Sequence, residues 1–295
     1  MHKHMRQTLL LIRWLLLTDK FRTKFCIAAV TIMVLLLFPL RGLYRLCMES
    51  GISIHLTDGW LLLISNQYLH LYLTAVYLFL IAGLPFYTGK EAPILLRCSR
   101  KRVYYAPLWA AKILAFLVVC FAFILNLLLS IPVGYVQNLW SDPLRLLENT
   151  DIQIAYKIFF TPPLSLFDAM TPWLAALFSI CVLLLFWDIL AKLAFLMGTY
   201  GRRRLGMITA IGLLFSGWMI LLFADSPPLN ALSPLHHSLI GFAYQGGYLD
   251  FTPMGMILYL TVINGILYTF CAARLEKGIE FVLMTSSLAG GLKDT

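Results

Sequence analysis

Asp188 precedes Lys192 by four residues in this 295-residue chain, the spacing of a helical ion pair. An acid within a membrane helix is the usual ligand of a coupling proton or sodium ion, so ion coupling, if present, would rest on Asp188. The plainer expectation is a salt bridge to Lys192 that anchors the inner end of a helix. Asn126 and Asn264 lie in two other apolar runs. There a carboxamide either bonds a neighbouring helix or lines a solute path, and the sequence leaves both readings open. His236 and His237 form the one adjacent histidine pair, after the proline-rich stretch 226–234. With no third ligand nearby they read as an ordinary polar loop pair rather than a metal site. Signatures of catalysis are missing. There is no GxxxxGK[ST] phosphate loop and no HExxH, and the triplet Gly51-Ile52-Ser53 lies in a connecting segment. The six cysteines are scattered with no CxxC, so neither a disulfide frame nor a metal centre is expected. No catalytic, cofactor or metal residue is expected on this chain.

The elements that hold these residues follow from composition. The chain is 60% hydrophobic and 13% charged, with a mean hydropathy of +0.82, whereas soluble domains run about a quarter charged. A cytosolic enzyme, a disordered tail and a disulfide-stapled module are excluded, and an all-α polytopic membrane protein is expected. A crossing helix needs about 20 mostly apolar residues. Six stretches meet this: 25–40, 69–87, 113–133, 172–191, 205–224 and 251–273. The first is short but flanked by Lys24 and Arg41, and the second lies within a charge-free run from Gly59 to Gly89. Solid apolar runs lack the period-two alternation of a barrel.

Orientation follows from the basic residues. Residues 1–24, the loop after the second span, the loop after the fourth and the tail 274–295 carry 19 of the 23 Lys and Arg. The other three loops hold four, against eight acids. The positive-inside rule then puts both termini in the cytoplasm, which requires an even number of spans. The net charge of +9 is thus a topology signal and not a nucleic-acid footprint. In residues 1–24, Arg6, Arg13 and Lys20 repeat every seven residues among leucines, which predicts an interfacial amphipathic helix.

The loop between the second and third spans reads Lys90-Glu91-Ala92-Pro93-Ile94-Leu95-Leu96-Arg97-Cys98-Ser99-Arg100-Lys101-Arg102. Glu91 and Pro93 suit the first turn of a helix, since proline lacks a donor there and an acid favours the positive end. Ile94, Leu95 and Leu96 then form an apolar ridge, as a knob for a partner's groove would. A second reading is a basic headgroup-binding loop anchored by Tyr104, Tyr105 and Trp109. This pattern, with the basic N-terminal helix and six spans, resembles the permease subunit of bacterial type-2 ABC exporters. The similarity is carried by Pro93-x-x-Leu96-Arg97-x-Ser99-Arg100 followed by Lys112, and extends over the chain as architecture. The stretches 134–171 and 225–250 resemble that family's outer loop and re-entrant segment, and 152–160 suits a short interfacial helix. Leu232-Ser233-Pro234 departs from the family pattern.

The resemblance implies a bacterial plasma-membrane protein whose Glu91, Pro93, Ile94, Leu95, Leu96, Arg97, Ser99 and Arg100 dock on a separate ATP-binding subunit. That subunit, a dimer, would hold ATP and Mg. A second permease copy or a related permease would complete the substrate path, for a peptide, lipid or drug-like solute. Two other classes stand beside this one: an ion-coupled carrier or channel using Asp188 or another polar group, and a non-transport immunity or assembly protein.

Overall fold

The apolar run from Phe25 does not end its helix at Leu40. In the computed structural model, which describes residues 19–82, 84, 100–158, 161–198, 203–223, 227–242 and 252–276, α1 runs Asp19–Ser50. Arg41 and Arg45 continue it beyond the apolar part, and Arg45 pairs with Glu49 one turn on at 2.8 Å. The expected interfacial helix of residues 1–24 lies outside the described residues up to position 18. From Asp19 onward it is already α1.

A two-residue strand β1 (Ile54–His55) follows, then α2 (Asp58–Ser65) and α3 (Gln67–Ile81). The charge-free run 59–89 is therefore divided at Asn66, and α3 carries 69–81 of the expected span 69–87, of which residues 83 and 85–87 lie outside the described residues. Asn66, with extended backbone (ψ 113°), turns its side-chain oxygen back to accept from Tyr68 N and Leu69 N at 3.0 and 3.1 Å. A capping asparagine starts a new helix more readily than it continues an old one. Next comes α4 (Arg100–Ser130), closed by a 3-10 turn at Ile131–Val133. It begins well before the expected 113, because Lys112 is carried inside the helix and neutralised there. Strand β2 (Gly134–Tyr135) pairs in parallel with β1, Ile54 opposite Gly134.

Three short helices come after β2: α5 (Asp142–Leu146), α6 (Thr150–Tyr156) and α7 (Leu164–Ala169). Ser141 and Asn149 cap the first two, accepting from Leu144 N and Asp151 N. Of the helix expected at 152–160, α6 carries 152–156 and Lys157 ends it at φ 57°, while 159–160 lie outside the described residues. Then come α8 (Pro172–Gly198), α9 (Arg203–Phe223) and α10 (Pro227–Leu232), two 3-10 turns at His236–Ser238 and Ile240–Phe242, and α11 (Pro253–Glu276). Apart from the β1–β2 pair, the described chain is helix and connection.

Helix α8 is the centre. Of its most apolar stretch 61% is buried, against 22% for α9 and α11. It packs on α2, α3, α4, α9 and α11. Between α8 and α3, Trp187 stacks on Tyr77 with ring centres 4.4 Å apart and donates to Thr74 Oγ1 at 3.1 Å. Trp60 of α2 donates to Ser179 of α8 at 2.8 Å. Against α4 the surfaces are small: Ala106, Ala110, Ala111 and Ala115 are buried, as are Ala191 and Ala194. Where lipid is as apolar as leucine, such small residues let helices approach. Gly206 of α9 marks the closest approach, since a Cβ there would lie 2.0 Å from the Ala194 carbonyl. The connections at 51–57, 131–171 and 227–242 gather at one end of the bundle, called here the capped end.

Candidate functional site

Asp188 and Lys192 lie on adjacent turns of α8, with six further residues of helix beyond Lys192. They are thus inside the bundle and not at the helix end where the apolar run suggested, since α8 continues past 191. Lys192 is 4% exposed. Its Nζ donates to Asp188 Oδ2 at 2.7 Å, to Asn264 Oδ1 at 2.8 Å and to the Asn264 carbonyl at 3.2 Å. An ammonium has three hydrogens, so this lysine is fully used. Asn264 in turn gives its amide hydrogens to the carbonyls of Leu185 and Leu260, at 2.9 and 3.0 Å. Its carboxamide therefore stitches α11 to α8.

Lys112 of α4 reaches the same oxygen, Asp188 Oδ2, at 3.3 Å. It is less enclosed, with 41% of its side chain exposed, and it lies over the Trp109 ring. Asp188 Oδ1 is buried without a hydrogen-bond partner. One carboxylate thus joins α4, α8 and α11 through two ammonium groups. A metal or sodium ion at Asp188 would meet two positive charges within van der Waals reach, so the group suits an ionic joint far better than a cation site. Sequence reasoning paired Asp188 with Lys192 and singled out Asn264. It missed Lys112, read there as a flanking charge of the third span. The signal was its place 12 residues into an unbroken helical stretch.

Asn126 belongs elsewhere. Its amide donates to the Leu56 carbonyl at 2.9 Å, at the capped end. Nearby, Asp58, one of the eight acids counted in the less basic loops, is fully buried. Its Oδ2 accepts from His55 N at 2.8 Å and from the Ser141 hydroxyl, which also caps α5. Asp58 therefore ties β1, α2 and α5 together. His55 bonds Thr57 Oγ1 through Nδ1 at 2.7 Å and packs edge-on to Tyr135 and Trp173. Burial holds its pKa down at about 4.

His236 and His237, expected as a polar loop pair, lie in a 3-10 turn between helices and are enclosed there, at 1% and 5% exposed. His237 donates through Nε2 to the Ala231 carbonyl at 2.8 Å and stacks on Tyr259, ring centres 3.8 Å apart. Burial depresses both, His236 to about 4. Among the described residues no group of three or more His, Cys, Asp or Glu is placed to hold a metal ion. The segment Glu91, Pro93, Ile94, Leu95, Leu96, Arg97 and Ser99 lies outside the described residues, and Arg100 is the first residue of α4.

Five described helices are long and apolar enough to cross a membrane: α1, α4, α8, α9 and α11. With α3 as a shorter apolar helix, this is the make-up of a multi-pass, mostly helical membrane protein. Comparison with protein-family models, with curated proteins and with solved structures finds no match.

Proposed function

We propose that the chain is the permease subunit of an ATP-driven exporter in a bacterial plasma membrane. The sixth crossing is the broken pair α2–α3, and both termini are cytoplasmic. The observation that carries this reading is mechanical. Helix α4 starts at Arg100, directly after the segment expected to dock on an ATPase, and 12 residues on it presents Lys112 to Asp188 of the central helix. A push on residues 91–99 would travel along a rigid helix into the ionic joint and from there to α11 through Lys192 and Asn264. The catalytic subunit, with its ATP and Mg, is another chain, and a second permease completes the path.

The test is to tag the chain, extract it in mild detergent from its own host and identify what co-purifies. A stoichiometric subunit with a phosphate-binding loop and vanadate-sensitive ATP hydrolysis supports the exporter. A pure chain without ATPase overturns it. An ion-coupled carrier is the second reading, favoured by the unpartnered Asp188 Oδ1. Transport retained in full by Asp188→Asn would eliminate that alternative.

A further inference from the structure

The helix break at Asn66 faces the irregular segment 227–242 at the capped end. Non-helical backbone at membrane depth occurs where it is enclosed by protein or lines a cavity, and broken helices recurrently form solute sites. Several approaches bring the walls together. Ser238 Oγ lies 3.1 Å from His70 Nε2. A Cβ on Gly241 would stand 3.0 Å from the Ser65 carbonyl oxygen, and one on Gly217 of α9 would stand 3.1 Å from Ser233 Oγ. Tyr68 packs edge-on to Trp218, and Tyr259 of α11 donates to the Leu232 carbonyl at 2.5 Å.

Along these walls lie buried polar atoms with no hydrogen-bond partner: Ser65 Oγ, His70 Nδ1, Trp218 Nε1, Asn230 Oδ1, Ser233 Oγ and both ring nitrogens of His236. Ser65, His70, Ser233 and His236 are each at most 4% exposed. Native proteins leave few such groups, because each costs its full desolvation. Their chemistry can be sorted. Ser238 spends its one hydrogen on the Leu235 carbonyl at 2.7 Å, so His70 Nε2 must be the donor to Ser238. His70 Nδ1 is then a lone pair, an acceptor awaiting a hydrogen. Asn230 Oδ1 is a second acceptor, Trp218 Nε1 a donor, and neutral His236 offers one of each. No Asp, Glu, Lys or Arg occurs in 59–72, 214–223 or 227–242.

From this we infer that the seam between the Asn66 break and residues 230–242 binds an uncharged amphiphile whose polar end carries hydroxyl groups. A hydroxyl both gives and accepts a hydrogen, so it serves the lone pairs and the N–H groups of this wall alike. A cation would serve only the acceptors and an anion only the donors, and among the described residues of these walls either would find no counter-charge. Phe242 against His236 and Phe186 against His70 supply the apolar backing. Naming the occupant a transport substrate rests on the exporter reading; the binding itself does not.

The test uses the full chain in phosphatidylcholine nanodiscs, photolabelled with an alkyl glucoside carrying a diazirine and mapped by mass spectrometry. Adducts within 65–70 and 230–242, displaced by octyl glucoside, are expected. His236→Leu should lower them about fivefold for each hydrogen bond lost. Ser233→Ala, a change too small to threaten folding, should lower them as well. Adducts confined to the outward faces of α9 and α11, or unchanged in both variants, would overturn the site. Equal labelling by a diazirine alkyl-trimethylammonium would overturn the uncharged class. A chain that binds the glucoside but retains no ATPase sinks the exporter reading alone. A complex that hydrolyses ATP without seam adducts sinks the site alone.

Discussion

Lys192 and Lys112 touch the same carboxylate oxygen, yet their surroundings assign them different energies. Lys192 is enclosed and uses every hydrogen, so its loss leaves Asp188 with the more exposed Lys112 alone and strands both oxygens of Asn264. Removing one member of a buried pair costs about 3–5 kcal/mol. Lys112 is 41% exposed in its side chain, and its pairing is screened accordingly. Lys192→Met should therefore lower the unfolding free energy in detergent by about 3 kcal/mol, and Lys112→Met by under about 1 kcal/mol. Equal losses in urea unfolding would refute this ranking. The buried imidazoles weaken the fold in acid. His55 and His236 hold pKa values of about 4 in the fold and about 6.5 unfolded. A lowered histidine pKa means that the unfolded chain takes up the proton first. The contribution of each histidine is then full well above pH 6.5 and is lost as the pH drops toward 4, on the order of 1 to 2 kcal/mol per histidine at pH 5. The Tm measured at pH 5 and 7.5 should differ clearly, and His55→Phe with His236→Phe should shrink the difference. The i,i+4 pair was readable in the sequence because helix periodicity alone brings 188 and 192 together. Lys112 and Asn264 were not, since nothing local brings three helices to one depth.

At the scale of elements, the hydrophobic runs located helices but misjudged where they stop. A run ends where a charge appears; a helix ends where its backbone loses partners. Lys112, Arg41 and Lys192 each mark an apolar boundary and lie inside helices, since their charges are paired or lie toward a bundle end. Asn66 is the opposite case, an uncharged residue that breaks a helix because its side chain satisfies two backbone donors of the next one. Asn66→Leu should remove that cap at a cost of about 1 kcal/mol and loosen the start of α3, seen as faster amide exchange at Tyr68 and Leu69. Unaltered exchange there would deny the cap its role. Lys157 ends α6 in the left-handed region at φ 57°. Glycine adopts that conformation without a Cβ penalty, so Lys157→Gly should stabilise the chain by up to about 1 kcal/mol in thermal unfolding. A lower Tm would show that the Lys157 side chain matters more than its backbone.

For the molecule as a whole, the exporter reading has motion entering at residues 91–99 and being received by α8. Leu95→Asp with Leu96→Asp should abolish transport while leaving membrane insertion unchanged, and transport at the parental rate would defeat the docking claim. Topology has its own check. Single cysteines at Ser53 and Glu148 should react with an impermeant thiol reagent from the same side, opposite to one at Gly198. What the sequence determined alone was class and spacing. Long uncharged apolar runs have no stable solution in water, and in lipid only helices satisfy their backbones. Alternation of basic loops predicts which connections share a side, since charge placement is a linear property of the chain. Tertiary structure decided which polar groups meet. Asn126 and Asn264, alike in sequence, part company to opposite regions, while Asp188 gathers two lysines from different helices. Asp58 and the two adjacent histidines, polar enough for a surface, are enclosed. Burial and partnership depend on packing between segments more than 70 residues apart, as at Lys192 and Asn264, and no local pattern encodes that distance.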